Sequence, residues 1–228
     1  MREAKPNDLI MVAPGSYVES LVMDKPLEIV GDGDCNRIRI KSKDSSALTF
    51  QTSSGRVANM SLIQQSGGDF ACINIKQGQL VLEGCDVTSE SLCCIAIQGS
   101  ADPIIKGNRI HNGAKEGISV FNYGKGTLED NKIFENALAG VNIESNADPT
   151  LTRNRIYDGR SYGVYCHDSG KGIIEDNEIF QNTVAGVCIS TRAHPLLRQN
   201  RIHDERESGV VIHTNGEGLF EDNEIFAN

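Results

Sequence analysis

The hydrophobic and polar positions of this chain recur every 23 residues from residue 101 to residue 228. Each repeat has an asparagine at its eighth place and an isoleucine at its tenth, and most have a glycine at the seventeenth place, followed by Ile or Val. The asparagines are Asn108, Asn131, Asn154, Asn177, Asn200 and Asn223. A fixed short period is typical of stacked repeats, in which each unit buries its apolar side chains against its neighbours.

One repeat, residues 147–169, contains three short alternating segments separated by bends at Gly, Asn or Pro. In one segment, Val164 and Cys166 share a face and Tyr165 and His167 share the opposite face. Stacking each segment on its copy in the next repeat gives parallel sheets. The sequence therefore predicts an all-β fold, a single-stranded right-handed parallel β-helix of nine to ten 23-residue coils with almost no helix.

The domain organisation follows from where the period holds. Residues 78–228 form regular coils, whereas residues 1–77 contain irregular first coils with strands and Gly or Pro turns. We expect one β-helix domain over residues 1–228. An open end coil exposes apolar side chains and strand edges, so we also expect a fragment of a longer chain that can self-associate end to end.

Composition narrows the function classes. The 31 acidic and 22 basic residues give a net charge of −9, which disfavours binding to nucleic acid phosphates. There is no apolar run long enough for a membrane span, and the first residues do not begin a signal peptide. Seven cysteines without C-x-x-C spacing indicate buried, reduced thiols rather than zinc ligands or a disulfide framework. This favours an intracellular location, in cytoplasm or nucleus.

The repeated polar positions have a structural interpretation. The asparagines can form a ladder in which each amide bonds the copies above and below, in a bend conformation that Asn tolerates. Glu129, Glu175 and Glu221 mostly alternate with basic residues from coil to coil, so their ion pairs would help to fix the strand register. They could also serve as acids or bases. A line of rings is expected to stack: His111, Phe134, Tyr157, Phe180, His203 and Phe226.

The candidate functional side chains lie on the outward face of one strand of each repeat, the strand that begins with the Gly-Ile/Val pair. By alternation, Glu144 is the only carboxylate on that face, whereas glycosidases need two and a calcium site needs several. Asp168 and the loops could still supply a partner carboxylate. We therefore predict no catalytic residue, no metal site and no cofactor. The candidate ligand-binding residues are Phe121, Glu144, Tyr165, His167 and His213. The aromatic members could hold a sugar or peptide, or could simply suit an exposed pleated face.

Residues 147–156 and 170–180 resemble the β-helix repeats of the F-box only proteins ten and eleven, whose repeats are of the carbohydrate-binding and sugar-hydrolase type. The opening residues 6–17 look like the first coils of pectin-lyase-like β-helices. The F-box resemblance implies a substrate receptor of a ubiquitin ligase, although no F-box segment precedes the coils. Similar repeats occur in other proteins, so the resemblance identifies a fold more firmly than a function.

Three functions remain in competition. The main hypothesis is a non-catalytic recognition module that binds a protein or peptide partner, with no role for nucleic acid or membranes. The alternative is a carbohydrate-binding or carbohydrate-active protein of the polysaccharide lyase or hydrolase type. A structural spacer within a multidomain protein is the third.

Overall fold

The computed structural model describes residues 3–65 and 67–228. The expectation about a signal peptide falls partly on residues 1 and 2, which lie outside the described residues. No helix within the described ranges is long and apolar enough to cross a membrane.

The described chain consists of 28 short strands and one 3-10 turn at Cys35–Arg37. The strands are β1 (Leu9–Val12), β2 (Gly15–Val18), β3 (Leu21–Met23), β4 (Glu28–Gly31), β5 (Ile38–Ser42), β6 (Leu48–Phe50), β7 (Ser54–Ala58), β8 (Ser61–Gln64), β9 (Ile73–Glu83), β10 (Asp86–Ser89), β11 (Ile95–Ala101), β12 (Ile104–Lys106), β13 (Arg109–His111), β14 (Ile118–Phe121), β15 (Thr127–Glu129), β16 (Lys132–Phe134), β17 (Val141–Ile143), β18 (Thr150–Thr152), β19 (Arg155–Tyr157), β20 (Tyr162–Cys166), β21 (Ile173–Glu175), β22 (Glu178–Phe180), β23 (Ala185–Ile189), β24 (Leu196–Arg198), β25 (Arg201–His203), β26 (Ser208–Ile212), β27 (Leu219–Glu221) and β28 (Glu224–Phe226).

These strands form three parallel sheets that run along one axis. Sheet 1 includes β12, β15, β18, β21, β24 and β27, sheet 2 includes β13, β16, β19, β22, β25 and β28, and sheet 3 includes β14, β17, β20, β23 and β26. The long strands β9 and β11 continue from sheet 3 into sheet 1. Sheet 2 has ten strands among the described residues, one per coil. The expected all-β parallel β-helix is confirmed.

The core is a set of columns in which each apolar side chain lies on its copy in the next coil. Ile133 pairs with Ile156 in sheet 2, and Leu128 pairs with Leu151 in sheet 1. In the coil of residues 147–169 the inward residues Leu151, Ile156 and Val164 are fully buried, and so is Cys166. A one-residue slip would turn each of these side chains outward, so burial fixes the 23-residue register.

The first coils deviate further from the repeat than the sequence suggested. Leu21 pairs with Leu48, which pairs with Ile73, so these coils are 27 and 25 residues long. The next pairing, Ile73 with Ile95, spans 22 residues. The extra residues lie in loops between strands, and the inward columns continue through them.

The six asparagines form a continuous ladder between sheets 1 and 2, and all but Asn223 are buried. The Oδ1 of Asn154 accepts hydrogen bonds from the backbone N–H and the Nδ2 of Asn131, both at 3.0 Å. The Nδ2 of Asn154 donates to the carbonyl of Leu128 at 2.7 Å. The left-handed backbone expected at the asparagine occurs instead at the residue before it, such as Arg153 with φ 53°. Asparagine is therefore selected here for its amide contacts, not for its backbone conformation.

A glycine precedes the inward residues of sheet 3 because the coils approach too closely there for a side chain. A Cβ at Gly163 would lie 2.5 Å from the Cγ2 of Ile179 and 2.6 Å from the carbonyl oxygen of Gly186. Contacts that short do not occur in folded proteins without displacement of one partner. The glycine at the seventeenth place is thus a packing requirement.

All seven cysteines are free, and six of them are buried. Burial raises the pKa of the Cys85 thiol and of the Cys166 thiol to about 12. Thiols with so high a pKa are poor nucleophiles, which fits the expected structural role. The intracellular location inferred from them stays a prediction.

Candidate functional site

A groove runs along the outer face of sheet 3, between the sheet and the loops that enter it from sheet 2. Two adjoining cavities of about 340 and 330 Å³ make up this groove, and both are lined by Glu116, Asn142 and Glu144. The first cavity also contacts Tyr165 and His167, and the second contacts Phe121. We refer to these two cavities together as the sheet 3 groove.

Alternation along two neighbouring strands places the polar side chains of the groove. Asn142 is the central, outward residue of β17, and it lies directly beside Tyr165 of β20 in the parallel register. Glu144 and His167 each follow their strand by one step, so they lie in the same row. Asp168 comes next, with a left-handed backbone at φ 46° that turns the chain away from the sheet.

His167 is the centre of a hydrogen-bonded cluster. Its Nδ1 lies 3.0 Å from Asp168 Oδ2, and its Nε2 lies 3.1 Å from Asn142 Oδ1 and 3.6 Å from Glu144 Oε2. The Asn142 Nδ2 donates to Glu144 Oε1 at 3.3 Å and to Ser119 Oγ at 3.4 Å. The ring is therefore held from both sides by oxygen atoms, with 17% of its side chain exposed to the groove.

Tyr165 forms the aromatic wall of this cluster. Its ring stacks on His167 with centroids 4.2 Å apart, and its hydroxyl lies 3.2 Å from Ser190 Oγ. Tyr162 packs against Tyr165 with ring centroids 5.1 Å apart. Burial, together with the neighbouring Cys188, raises the pKa of the Tyr162 hydroxyl, so that phenol stays protonated near neutral pH.

The other two candidate residues lie away from this cluster. Phe121 occupies the second cavity, where it packs on Ala71, Cys93 and Ala96. His213 occupies the same place in its repeat as His167, two coils further on. Its Nε2 faces the Cys188 sulfur at 3.5 Å and its Nδ1 faces Thr214 Oγ1 at 2.8 Å. The structure thus brings Glu144, Tyr165 and His167 together and separates Phe121 and His213 from them.

Strand alternation alone missed residues that line the groove and one, Asp168, that contacts His167. Glu116 lies in the loop before β14, and Asp168 lies in the turn after β20, so neither is on the outward face of a strand. Asp69 and Lys115, also from loops, line the second cavity. The count of a single carboxylate is therefore wrong for the groove as a whole. The signal available in the sequence was Asp168 directly after His167.

The remaining charged and aromatic positions are accounted for by stacking. Glu129 forms ion pairs with Lys106 and Arg153, and Glu175 pairs with Arg198. The rings from His111 to Phe226 stack in one column with centroids between 4.6 and 5.4 Å apart. Arg109 lies over the ring of Phe134. These residues lie on sheets 1 and 2, outside the sheet 3 groove.

The groove combines aromatic, amide and proton-transferring side chains. It is open and extends over several coils. The rings of His167 and Tyr165 stack, and both side chains can carry a proton to or from a bound molecule. The carboxylates of Glu144 and Asp168 contact the two ring nitrogens and so orient the imidazole.

Comparison with known proteins supports the β-helix fold and changes the functional hypothesis. The family model described as right handed beta helix region matches residues 46–194 and 139–228. The solved A-module of an Azotobacter vinelandii mannuronan C-5 epimerase is 16% identical, with a TM-score of 0.67, covering 95% of this chain and 67% of its own. An alginate lyase from a Paenibacillus species is 14% identical, with a TM-score of 0.59, covering 99% of this chain and 94% of its own.

The pectin methylesterase of Aspergillus niger is 13% identical, with a TM-score of 0.55, covering 99% of this chain and 79% of its own. No curated protein sequence matches the chain. At these identities the likeness establishes a shared fold, the pectin-lyase-like β-helix. None of these comparisons supports a relationship to F-box only proteins.

Two expectations from the sequence are therefore corrected. The main reading, a non-catalytic module that binds a protein in a ubiquitin ligase receptor, is wrong, because the structural neighbours are an epimerase, a lyase and an esterase. The expectation that the chain is not an enzyme falls with it. The main hypothesis rested on the F-box resemblance, and the prediction of no enzyme rested on the carboxylates of the strands, whereas Glu116 reaches the groove from a loop.

Proposed function

This chain belongs to the right-handed β-helix family, and we propose that it is a carbohydrate-active enzyme that binds an extended polysaccharide in the sheet 3 groove. The reaction centre of this proposal is the cluster of Tyr165, His167 and Glu144. The fold neighbours named for epimerase, lyase and methylesterase activities support a polysaccharide substrate.

One observation carries the proposal. In the floor of the groove, His167 stacks on Tyr165 at 4.2 Å while oxygen atoms of Asp168 and Glu144 flank its two nitrogens. Such an imidazole can give a proton to a sugar oxygen or carbon, and the adjacent phenol can exchange a second proton from the same side. This arrangement suits removal of a proton from a sugar ring carbon, the step shared by epimerisation and elimination, and in an elimination the second proton goes to the oxygen of the leaving group.

The remaining groove residues would bind and orient the chain. Phe121 and Tyr165 offer ring faces for sugar stacking, and Asn142 and Ser119 offer hydrogen-bonding groups in the row between them. Coils are spaced about 4.8 Å apart, so a ligand that reaches from Phe121 to Tyr165 crosses two coils, about 10 Å. An oligosaccharide rather than a monosaccharide fits this length.

The test is activity on a panel of polysaccharides that includes alginate and pectin. Ultraviolet absorbance detects the unsaturated ends that a lyase produces, and NMR in deuterated water detects exchange of a ring proton that an epimerase produces. We expect turnover of at least one polymer, reduced about 10²-fold or more in both His167→Gln and Tyr165→Phe.

His213→Gln is the matched control, because His213 holds the same place in the repeat without the flanking carboxylates. It should retain full activity. Turnover that survives in His167→Gln, or that is lost equally in His213→Gln, would remove the reaction centre from this cluster. Binding of a glycan with no turnover in any assay would reduce the proposal to a carbohydrate-binding protein.

A further inference from the structure

The polar contacts of His167 bring its Nε2 close to two oxygen atoms. The Nδ1 lies 3.0 Å from Asp168 Oδ2, which as a carboxylate oxygen can only accept, so Nδ1 carries the proton of a neutral ring. The Nε2 then has a lone pair. It nevertheless faces two further acceptors, Asn142 Oδ1 at 3.1 Å and Glu144 Oε2 at 3.6 Å.

The orientation of the Asn142 amide is determined by its other contacts. Its Nδ2 donates to Glu144 Oε1, an acceptor, and to Ser119 Oγ, so its Oδ1 must point at the imidazole. Asn142 is only 6% exposed, which leaves little room for water to satisfy that oxygen. A cation placed among Nε2, Oδ1 and Oε2 would contact all three lone-pair atoms.

We propose that His167 Nε2, Glu144 Oε2 and Asn142 Oδ1 hold a divalent first-row transition-metal ion. Two ligand atoms that share such an ion at about 2.0–2.2 Å lie roughly 3.0–3.6 Å apart when they subtend about 90–120°. The printed separations from Nε2, 3.1 Å to Asn142 and 3.6 Å to Glu144, fall in that interval. The three residues come from two adjacent coils, so sequence spacing alone could not reveal the set.

Asp168 would act as a positioning residue in this site. Its carboxylate accepts from Nδ1 and thereby fixes the tautomer that leaves Nε2 free to bind the ion, the common arrangement behind metal-bound histidines. One nitrogen and two oxygens are a mixed donor set suited to Zn²⁺, Mn²⁺ or Co²⁺. Three protein ligands leave coordination positions open towards the groove.

Cobalt(II) is the best probe, because its visible spectrum distinguishes nitrogen and oxygen ligands from thiolates. The protein, freed of metals with a chelator, is titrated with Co²⁺ at neutral pH in the absence of any glycan. We expect one saturable site without a thiolate charge-transfer band, lost in His167→Gln. Asp168→Asn, a change at a half-exposed side chain, should weaken binding about 10- to 100-fold.

Asn142→Asp provides a test in the opposite direction, because a carboxylate in place of the amide oxygen should tighten Co²⁺ binding. A purely structural asparagine would show no such gain. His213→Gln should bind as the parent protein does, since its ring faces Cys188.

Absence of saturable binding, or binding that His167→Gln leaves intact, would overturn the proposal. A thiolate band lost in His213→Gln would place the ion at Cys188 instead. This metal site rests on the proposed function only for its location in the groove. An ion on Nε2 would occupy the lone pair that His167 needs for proton transfer, so in the metal-loaded protein that transfer would fall to the Tyr165 hydroxyl. Because the titration contains no polysaccharide, its failure leaves the proposed enzymatic activity untested and unharmed, and failure of the glycan assays leaves the metal result standing.

Discussion

Glu205 places its carboxylate against the backbone N–H of Asn182, one coil earlier, at 2.5 Å. Glycine holds the corresponding place two and four coils before it, at Gly159 and Gly113, where an asparagine side chain from the next coil fills the space. Glu205 is only 5% exposed, and this burial raises the pKa of its carboxyl to about 7. A titratable group therefore lies inside the last part of the solenoid.

This carboxyl should make the stability of the protein depend on pH near neutrality. Because its pKa is higher in the folded state than the ordinary value of 4.5, folding favours the protonated form. The contribution is complete below about pH 4.5 and is lost as pH rises through about 7. We expect the free energy of unfolding to fall by on the order of 2–3 kcal/mol from this group between pH 5 and pH 8.

Glu205→Gln should remove that part of the pH dependence, which urea unfolding at a series of pH values would measure. Glu207→Gln, at an exposed position nearby, is the control and should keep the parent profile. Equal slopes for the parent protein and Glu205→Gln would show that the buried carboxyl does not titrate in this range.

The asparagine ladder predicts a large penalty at its interior. Asn154→Leu removes the acceptor for the Asn131 N–H and the donor to the Leu128 carbonyl, and both groups are buried. We expect the free energy of unfolding to fall by about 1–3 kcal/mol for each buried group left without a partner, with a lower melting temperature. Asn223→Leu should cost less, because that rung is partly exposed. Equal melting temperatures for Asn154→Leu and the parent would contradict the ladder's role.

Substitutions at two glycines distinguish the effect of close packing on stability from the effect of backbone conformation. Gly163→Ala would force a Cβ to within 2.6 Å of a carbonyl oxygen, so we expect a loss of at least about 2 kcal/mol in thermal or urea unfolding. Gly107 has a left-handed φ of 63° with open space around it, and later coils place Asp130 and Asp176 there. Gly107→Asp should change stability by less than about 1 kcal/mol. A reversed order of the two effects would refute the packing argument.

The sequence determined the fold because stacking constrains the same places in every coil. The inward column through Ile133 and Ile156 and the buried asparagines repeat without a break, since each must lie on its copy. The first coils could not be aligned so well, because loops there vary in length while the columns do not. The left-handed residue before each asparagine was also missed, since residues as different as Gly107 and Arg153 adopt it.

The candidate site was only partly predictable, because a groove is built from loops as well as strands. Alternation placed Tyr165 and His167 on one outward face, and both line the groove. Glu116 reaches it from a loop, and loops do not share the period of the sheet. Asn142 and His167 come from adjacent coils, and their side chains meet in the groove. Predicting that contact requires the strand register between the coils, which is known only once the coil boundaries are known.

The continuity of the two cavities predicts a dependence on ligand length. Phe121 lies two coils from Tyr165, packed on small side chains and outside the His167 cluster, so it can contact only ligands that extend along the groove. Phe121→Ala should raise the Kd for long oligosaccharides several-fold and leave the Kd for the shortest bound fragment unchanged, as measured by calorimetry. Phe180→Ala, in the ring column of sheet 2, is the control and should alter neither Kd. An equal loss for short and long ligands in Phe121→Ala would indicate a disturbed fold rather than a distant subsite, whereas no loss for either would confine the ligand to the cavity around His167.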